Sequence, residues 1–331
     1  MKFKDSFFHT RENVNKKPLV ITRPIFLGFN YYSIFFILWL FLRFIKVILF
    51  KSQFRNLLQS GHSAVFDSLK RGSKKRLDFN FWGKLPARQT VVVISSELAA
   101  LQMNYFKKKG FIERLYLGPN IDWDFFKNSL PYTSGIIVPS LEASTGVKCV
   151  SYENYKKTFI WPAGVDTEYW KKTNTTKKNN NILIYYKEEK GPLMDKNTIK
   201  NKLSKLKLNI KFIEYGSYSF NEYKKQLDNV KFALFLSREE TQGIAFFEAW
   251  SMNVFTYVWH YEVKSYKGLD YVGSPCPYLN QALGKYVNSF ENLIQSIKNK
   301  EYCDKKVSPR KWVLKNATDE KTVTNLIKLI S

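Results

Sequence analysis

The chain has 331 residues, enough for two domains of ordinary size with a core each. Hydrophobic residues at 44% and aromatics at 17% exclude a disordered chain. Lys and Arg total 53 against 28 Asp and Glu, a formal net charge of +25, which points to an anionic partner: nucleic acid, an anionic lipid surface or a phosphate-bearing substrate.

The first 90 residues hold 17 Lys or Arg and 4 Asp or Glu, so part of the excess lies beside the most apolar segment. That segment, residues 25–50, reads IFLGFNYYSIFFILWLFLRFIKVILF. It sits too far in for a signal peptide, and no small-residue cleavage site follows it. Its uninterrupted part, residues 31–42, falls short of the roughly 20 residues of a spanning helix. Arg43 and Lys46 then follow one turn apart. The segment is expected to form an N-terminal apolar membrane-associating helix lying in the interface. Its aromatics would insert while Arg43, Lys46, Lys51 and Arg55 meet an anionic membrane surface. A single transmembrane helix and a buried core helix are the alternatives. The expected location is cytoplasmic, peripheral or monotopic at the cytoplasmic face of a membrane. Cys149, Cys276 and Cys303 lie far apart and form no C-x-x-C pair, which argues against a disulfide framework or a structural zinc site. His9, His62 and His260 are too scattered to suggest a metal cluster.

Beyond Lys51 the pattern becomes alternating strand and helix. Gly61-His62-Ser63 precedes a helical run, AVFDSLKR. Short β-branched runs at 91–94, 136–138 and 158–161 read as strands, with a helix at 97–109 closed by Gly110. That order suits βαβ units and a parallel sheet. Residues 171–181 (KKTNTTKKNNN) have no apolar periodicity and read as a linker. Alternation then resumes, with strands at 181–186, 210–215, 231–237 and 254–259. Helices fall at 195–208, 221–228, 243–252, 289–298 and 319–330. The fold class is therefore α/β: two Rossmann-like domains, 51–170 and 182–331, facing across a cleft, behind a basic segment 1–50.

The informative run is SREETQGIAFFEAW, residues 237–250. A strand ends, a loop holds Glu240, Gly243 opens a helix, and Glu248 sits on that helix. The helix start offers unpaired N–H groups and partial positive charge to a diphosphate. Carboxylates on either side can accept hydrogen bonds from sugar and ribose hydroxyls. A nucleotide-sugar is hydroxyls, two phosphates and hydroxyls in series.

Glu240 and Glu248 have seven residues between them, and the segment resembles the E-x7-E motif of retaining GT-B glycosyltransferases of the GT4 type (glycosyl transferases group 1). The continuation EAWSMNVFTYVW, GPN at 118–120, IIVPS at 136–140, WPAGVDTEYW at 161–170, SPCPYLNQALG at 274–284 and SPRKWV at 308–313 resemble the same family, over roughly residues 85–320. The resemblance implies a GT-B fold whose first domain faces the acceptor and whose second holds the donor. It implies a retaining, hexosyltransferase-like enzyme. Glu240 would contact the donor sugar, Glu248 the ribose, and backbone N–H groups of Gln242, Gly243 and Ile244 the phosphates. Family members often carry an aromatic where this chain has Gln242. Lys187, with Lys190 as second choice, matches the basic residue that neutralises the diphosphate, and Glu239 could take the role of Glu240. His62 is an acceptor-side candidate.

No metal or other cofactor is expected; Asp122-Trp123-Asp124 spells D-x-D but lies in the N-terminal half, away from the diphosphate seat. The expected partners are a nucleotide-sugar, a glycan or lipid-linked acceptor such as a lipopolysaccharide intermediate of the cell envelope, and the membrane surface. A nucleic-acid-binding protein is the rival motivated by charge, but the aromatics crowd into apolar runs rather than alternating with basic residues, so no nucleic acid is expected. A catalytically inactive GT-B scaffold is the second rival.

Overall fold

Short β-branched and aromatic runs separated by capped helices build two all-parallel sheets in the computed structural model, which describes residues 17–22, 61–79, 88–127, 130–173, 181–188, 194–261, 265–266 and 268–331. The apolar run at 25–50 and its membrane reading lie outside the described residues, as does Lys190. Among the described residues no helix is long and apolar enough to cross a membrane.

The first sheet contains β1 (Leu19–Ile21), β2 (Asp78–Phe79), β3 (Gln89–Val93), β4 (Ile112–Leu117), β5 (Gly135–Val138) and β6 (Thr158–Ile160), in the order β2-β1-β3-β4-β5-β6. The runs expected at 91–94, 136–138 and 158–161 are β3, β5 and β6, while β1, β2 and β4 escape the sequence pattern. The crossovers are α1 (Gly61–Ser73), α2 (Glu97–Lys108), α3 (Leu141–Val150) and the single turn α4 (Tyr152–Tyr155). Ser96 and Ser140 cap α2 and α3 with their side chains, each contributing about 1 kcal/mol. The face carrying Val91, Val93, Leu115 and Leu117 packs on Met103 and Phe106 of α2 and Val147 of α3.

The second sheet contains β7 (Asn181–Lys187), β8 (Asn209–Glu214), β9 (Phe232–Ser237), β10 (Phe255–Trp259) and β13 (Gly284–Val287), in the order β13-β10-β9-β7-β8. A small antiparallel ribbon, β11 (Ser265–Tyr266) with β12 (Leu269–Asp270), interrupts the last crossover. The helices are α5 (Lys196–Leu203), α6 (Phe220–Asp228), α7 (Ile244–Ser251), α8 (Phe290–Lys298) and α9 (Pro309–Asn316). The α helix expected over 195–208 ends at Leu203 and tightens into a 3-10 turn, Ser204–Leu206. Helices α6, α7 and α9 cover one face of the sheet, and α5 and α8 the other.

The final helix, α10 (Asp319–Ile330), does not stay with the second sheet. Its Val323, Leu326 and Ile330 pack with Val65 and Leu69 of α1 on the free face of the first sheet. Trp161 donates from Nε1 to the Thr322 carbonyl at 2.8 Å, and Thr318 bridges to Val165. The chain thus crosses the domain seam twice, at 161–170 and at 317–319.

The approach of α10 is close enough to demand glycine opposite it. A Cβ on Gly72 of α1 would lie 2.2 Å from the Asp319 carbonyl oxygen. Alanine is the better helix former by about 0.5–1 kcal/mol, but overpacking against backbone costs about 1–3 kcal/mol. Gly72→Ala is expected to lower the melting temperature by a few degrees in thermal denaturation; an unchanged or higher value would place α10 elsewhere.

Candidate active site

In the second sheet the chain runs from β7 outward to β8, then returns past β7 to β9, so the strand order reverses between β7 and β9. Such a reversal opens a crevice at the carboxyl ends of the two strands. Lys187 ends β7 and Ser237 ends β9, paired in register. Residues 238–243 then lead into α7, which reads IAFFEAWS and is buried from Phe246 to Ser251. A helix apolar on all sides belongs in the interior. Its carboxyl end is held by Arg310, whose guanidinium donates to the Ser251, Trp170 and Thr167 carbonyls at 2.7, 3.1 and 3.2 Å. Its amino end faces the crevice. The preceding Gly243 has φ 79° and ψ 62°, and a Cβ there would meet the Phe246 ring at 2.7 Å. Ser or Thr side chains cap α2, α3, α6, α8 and α10, but none caps α7. Its first N–H groups are left for a ligand, and the helix end favours an anion.

The crevice is a cavity of about 400 Å³. The second domain lines it with Tyr185, Lys187, Tyr215, Tyr218, Phe220, the loop residues from Glu240 to Gly243, and Ile244, Ala245 and Glu248 of α7. The first domain contributes Ala64, Val65, Asn120 and Pro139. Lys187 Nζ donates to both carboxylate oxygens of Glu240 at 3.1 and 3.0 Å, and Ser237 Oγ donates to the same carboxylate at 3.0 Å. The ammonium also lies 4.6 Å from the centre of the Tyr215 ring. Glu239 points away, accepting from the Tyr271 hydroxyl at 2.7 Å, so Glu240 is the motif carboxylate that reaches the cavity. Gln242 lines the cavity but bonds its side-chain amide to the backbone of another element. Its amide accepts from Ala163 N at 3.0 Å and donates to Ala163 O at 2.8 Å, fastening the loop to the interdomain junction.

Two further bonds close the seam: Gly164 N donates to Ser68 Oγ at 2.9 Å, and the Tyr278 hydroxyl donates to the Pro139 carbonyl at 2.5 Å. Glu240, Lys187, Gln242, Gly243, Ile244 and Glu248 therefore meet at one cavity. The backbone of His62 lies in the first turn of α1, whose Ala64 and Val65 reach the cavity, but its side chain lies outside the described residues.

A second cavity, of about 360 Å³, shares Ala64, Phe220 and Glu248 with the first and adds Asp67, Arg71, Asp166, Tyr169, Trp170, Ser219 and Asn221. Sequence reasoning did not single out Asp67, Arg71 and Asp166; the i,i+4 spacing of Asp67 and Arg71 behind Gly61-His62-Ser63 is the signal that could have found them. Arg71 pairs with Asp319 at 2.6 Å and Asp166 at 3.7 Å, joining α1, α10 and the junction. Burial raises the Asp319 carboxyl above its ordinary range, with Arg71 opposing. Glu248, shared by both cavities, is 6% exposed. Burial pushes its carboxyl up to about 8, against the pull of the Arg71 charge.

A carboxyl titrating higher in the folded than in the unfolded state ties stability to pH. Below the ordinary value of 4.5 Glu248 is protonated in both states. As pH rises from there to about 8 the unfolded chain gives up the proton while the folded chain keeps it, so stability falls; above that range the loss, on the order of a few kcal/mol, is complete. Glu248→Gln keeps the neutral shape. It is expected to melt like the native protein near pH 4 and several degrees higher at pH 9, in thermal scans across that range; a constant difference would mean that Glu248 ionises as freely as a surface glutamate.

No protein-family model and no curated protein matches the chain. Solved structures do. HepE of Anabaena, in complex with UDP and glucose, superposes with a TM-score of 0.57 at 8% identity over 95% of this chain and 99% of that one. A glycosyltransferase from Rickettsia africae gives 0.52 at 12% identity over 96% and 98%. The apo lipopolysaccharide outer core galactosyltransferase WaaB gives 0.50 at 9% identity over 95% and 99%. Among other matches the chain spans about half, 55%, of a longer protein. At these identities the likeness is one of fold: two parallel-sheet α/β domains facing across a crevice, the GT-B architecture.

Proposed function

We propose that the chain is a retaining glycosyltransferase of the GT4 type, moving a sugar from a nucleotide-sugar to a glycan or lipid-linked acceptor at the cytoplasmic face of a membrane. The observation that carries this reading is the meeting of Glu240 and Glu248 in one crevice with the uncapped amino end of α7. A diphosphate seated on the N–H groups from Gln242 to Ile244 would have the ribose toward Glu248 and the sugar toward Glu240. HepE, a GT-B structure matched over 99% of its length, holds UDP and glucose, which makes a uridine donor the first to try. WaaB is a lipopolysaccharide galactosyltransferase, which supports an envelope glycan as the acceptor class.

In the reaction the bond from the anomeric carbon to the diphosphate oxygen breaks. The acceptor oxygen attacks from the face the leaving group vacates, and its proton passes to the departing phosphate. The barrier is largely the negative charge growing on that phosphate, and fixed donors in a crevice offset such charge without reorganising. The α7 amino end supplies two or three N–H groups. Lys187 supplies a full charge, and its pairing with Glu240 holds the ammonium in place before the donor arrives.

Thermal shift with UDP-, GDP- and ADP-sugars tests the donor site, since a ligand stabilises in proportion to the logarithm of its excess over its dissociation constant. One nucleotide class is expected to raise the melting temperature in the native protein and not in Glu248→Ala. Lys187→Ala is expected to lower transfer by about 10²–10³-fold. No stabilisation by any of them, or undiminished transfer in Glu248→Ala, would refute the assignment.

A further inference from the structure

We propose that Asn120 is the first domain's contact with the sugar carried by the nucleotide, so that this sugar is gripped from the wall opposite Glu240. The assignment rests on the donor site proposed above.

The backbone after β4 is shaped to deliver this side chain. Gly118 follows the strand with φ 101°, and a Cβ there would lie 2.1 Å from the Ile137 carbonyl oxygen, so the chain is pressed against β5. Gly118 N donates to the Val93 carbonyl at 2.8 Å, and Ser95 N donates to the Pro119 carbonyl at 3.2 Å, tying the turn to the end of β3. Asn120 then adopts φ 65°, a left-handed conformation that few residues but glycine and asparagine take readily. One strand over, Ser95 does the same at φ 57°. Two polar residues thus take left-handed backbone at adjacent strand ends, beside the cavity that Asn120 lines.

Both are also short of partners. Asn120 Nδ2 and Ser95 Oγ are buried, and neither has a hydrogen-bond partner among the described residues. Native structures rarely leave such atoms unmet, and those that remain are explained by a ligand, an ion or water. Asn120 lines the same cavity as Lys187, Glu240 and Gly243. Rotation about χ2, soft for an amide, re-aims its N–H groups without moving the backbone. A sugar hydroxyl, which both accepts and donates, is the complement of such an amide.

The division of labour follows from the lining. The proposed diphosphate seat and Glu248 belong to the second domain, while Asn120 reaches in from the first beside Pro139. The proposed polar contacts to the nucleotide part of the donor thus come from the second domain, while the sugar part is met by polar groups of both.

The test separates those two parts. Calorimetry on the full chain would measure UDP, GDP and ADP beside UDP-glucose, GDP-mannose and ADP-glucose, for the native protein, Asn120→Gly and Asn120→Asp. Glycine keeps the left-handed turn without the amide, and aspartate keeps the shape but exchanges the N–H groups for a negative charge in the cavity that also seats the diphosphate, so the comparison with the diphosphates is read on the glycine variant. Asn120→Gly is expected to weaken the bound nucleotide-sugar by about 10-fold or more while the matching diphosphate stays within about twofold, and Asn120→Asp to weaken the nucleotide-sugar at least as much. Unchanged binding of both compounds, or equal loss of both, would overturn the role of Asn120. A native protein that binds none of the six compounds would bring down the donor site itself, and this assignment with it.

Discussion

Helix α7 has no polar side to offer to water, so the second domain closes around it and fixes where its two ends go. The carboxyl end is held by Arg310, which in the same grip draws in the junction at Thr167 and Trp170. The amino end emerges where the strand order reverses between β7 and β9. Because Gly243 rather than a serine or threonine precedes it, its N–H groups meet the crevice uncapped. The same burial traps Glu248 one turn along the helix, where its carboxyl resists ionisation. A sequence selected for stability alone would place glutamine or methionine there. Carrying a carboxylate into the interior is a cost that a hydroxyl-bearing ligand would offset, the pattern of stability yielded to function.

The crevice depends equally on how the domains are fastened. Gln242 bonds both backbone groups of Ala163, Tyr278 reaches Pro139, and Arg71 links α1 to Asp319 and Asp166. Helix α10, last in the chain, completes the first domain's core rather than the second's. Gln242 and Pro139 line the first cavity and Arg71 and Asp166 the second, so the walls keep their spacing through residues that also join the domains.

Much of this was legible because the local and the tertiary signals agree. Strands such as β7 and β9, buried on both faces, read as continuous apolar runs, and the helices between them carry Asp or Ser caps. The site segment was legible for the same reason: a strand, a glycine and an apolar helix stand in the order that a phosphate seat requires. Other elements were hidden. β1 is three residues long beside a far stronger apolar run, and β4 carries Glu113 and Arg114, which break its pattern. Gln242 read as a departure at the donor, whereas its side chain faces the junction, a partner 79 residues away that no local pattern announces. Arg71 and Asp166 became neighbours only through the seam. The orphaned amide of Asn120 could not be foreseen, since GPN shows neither the left-handed backbone nor the missing partner.

A crystal structure of the protein soaked with UDP, or with whichever nucleoside diphosphate binds, tests the central claim most directly. The expected density has phosphate oxygens within hydrogen-bond distance of the Gly243 and Ile244 amides, a ribose hydroxyl on the Glu248 carboxylate, and Lys187 turned from Glu240 toward the phosphates. A nucleotide bound away from α7, or one whose ribose leaves Glu248 untouched, would contradict it.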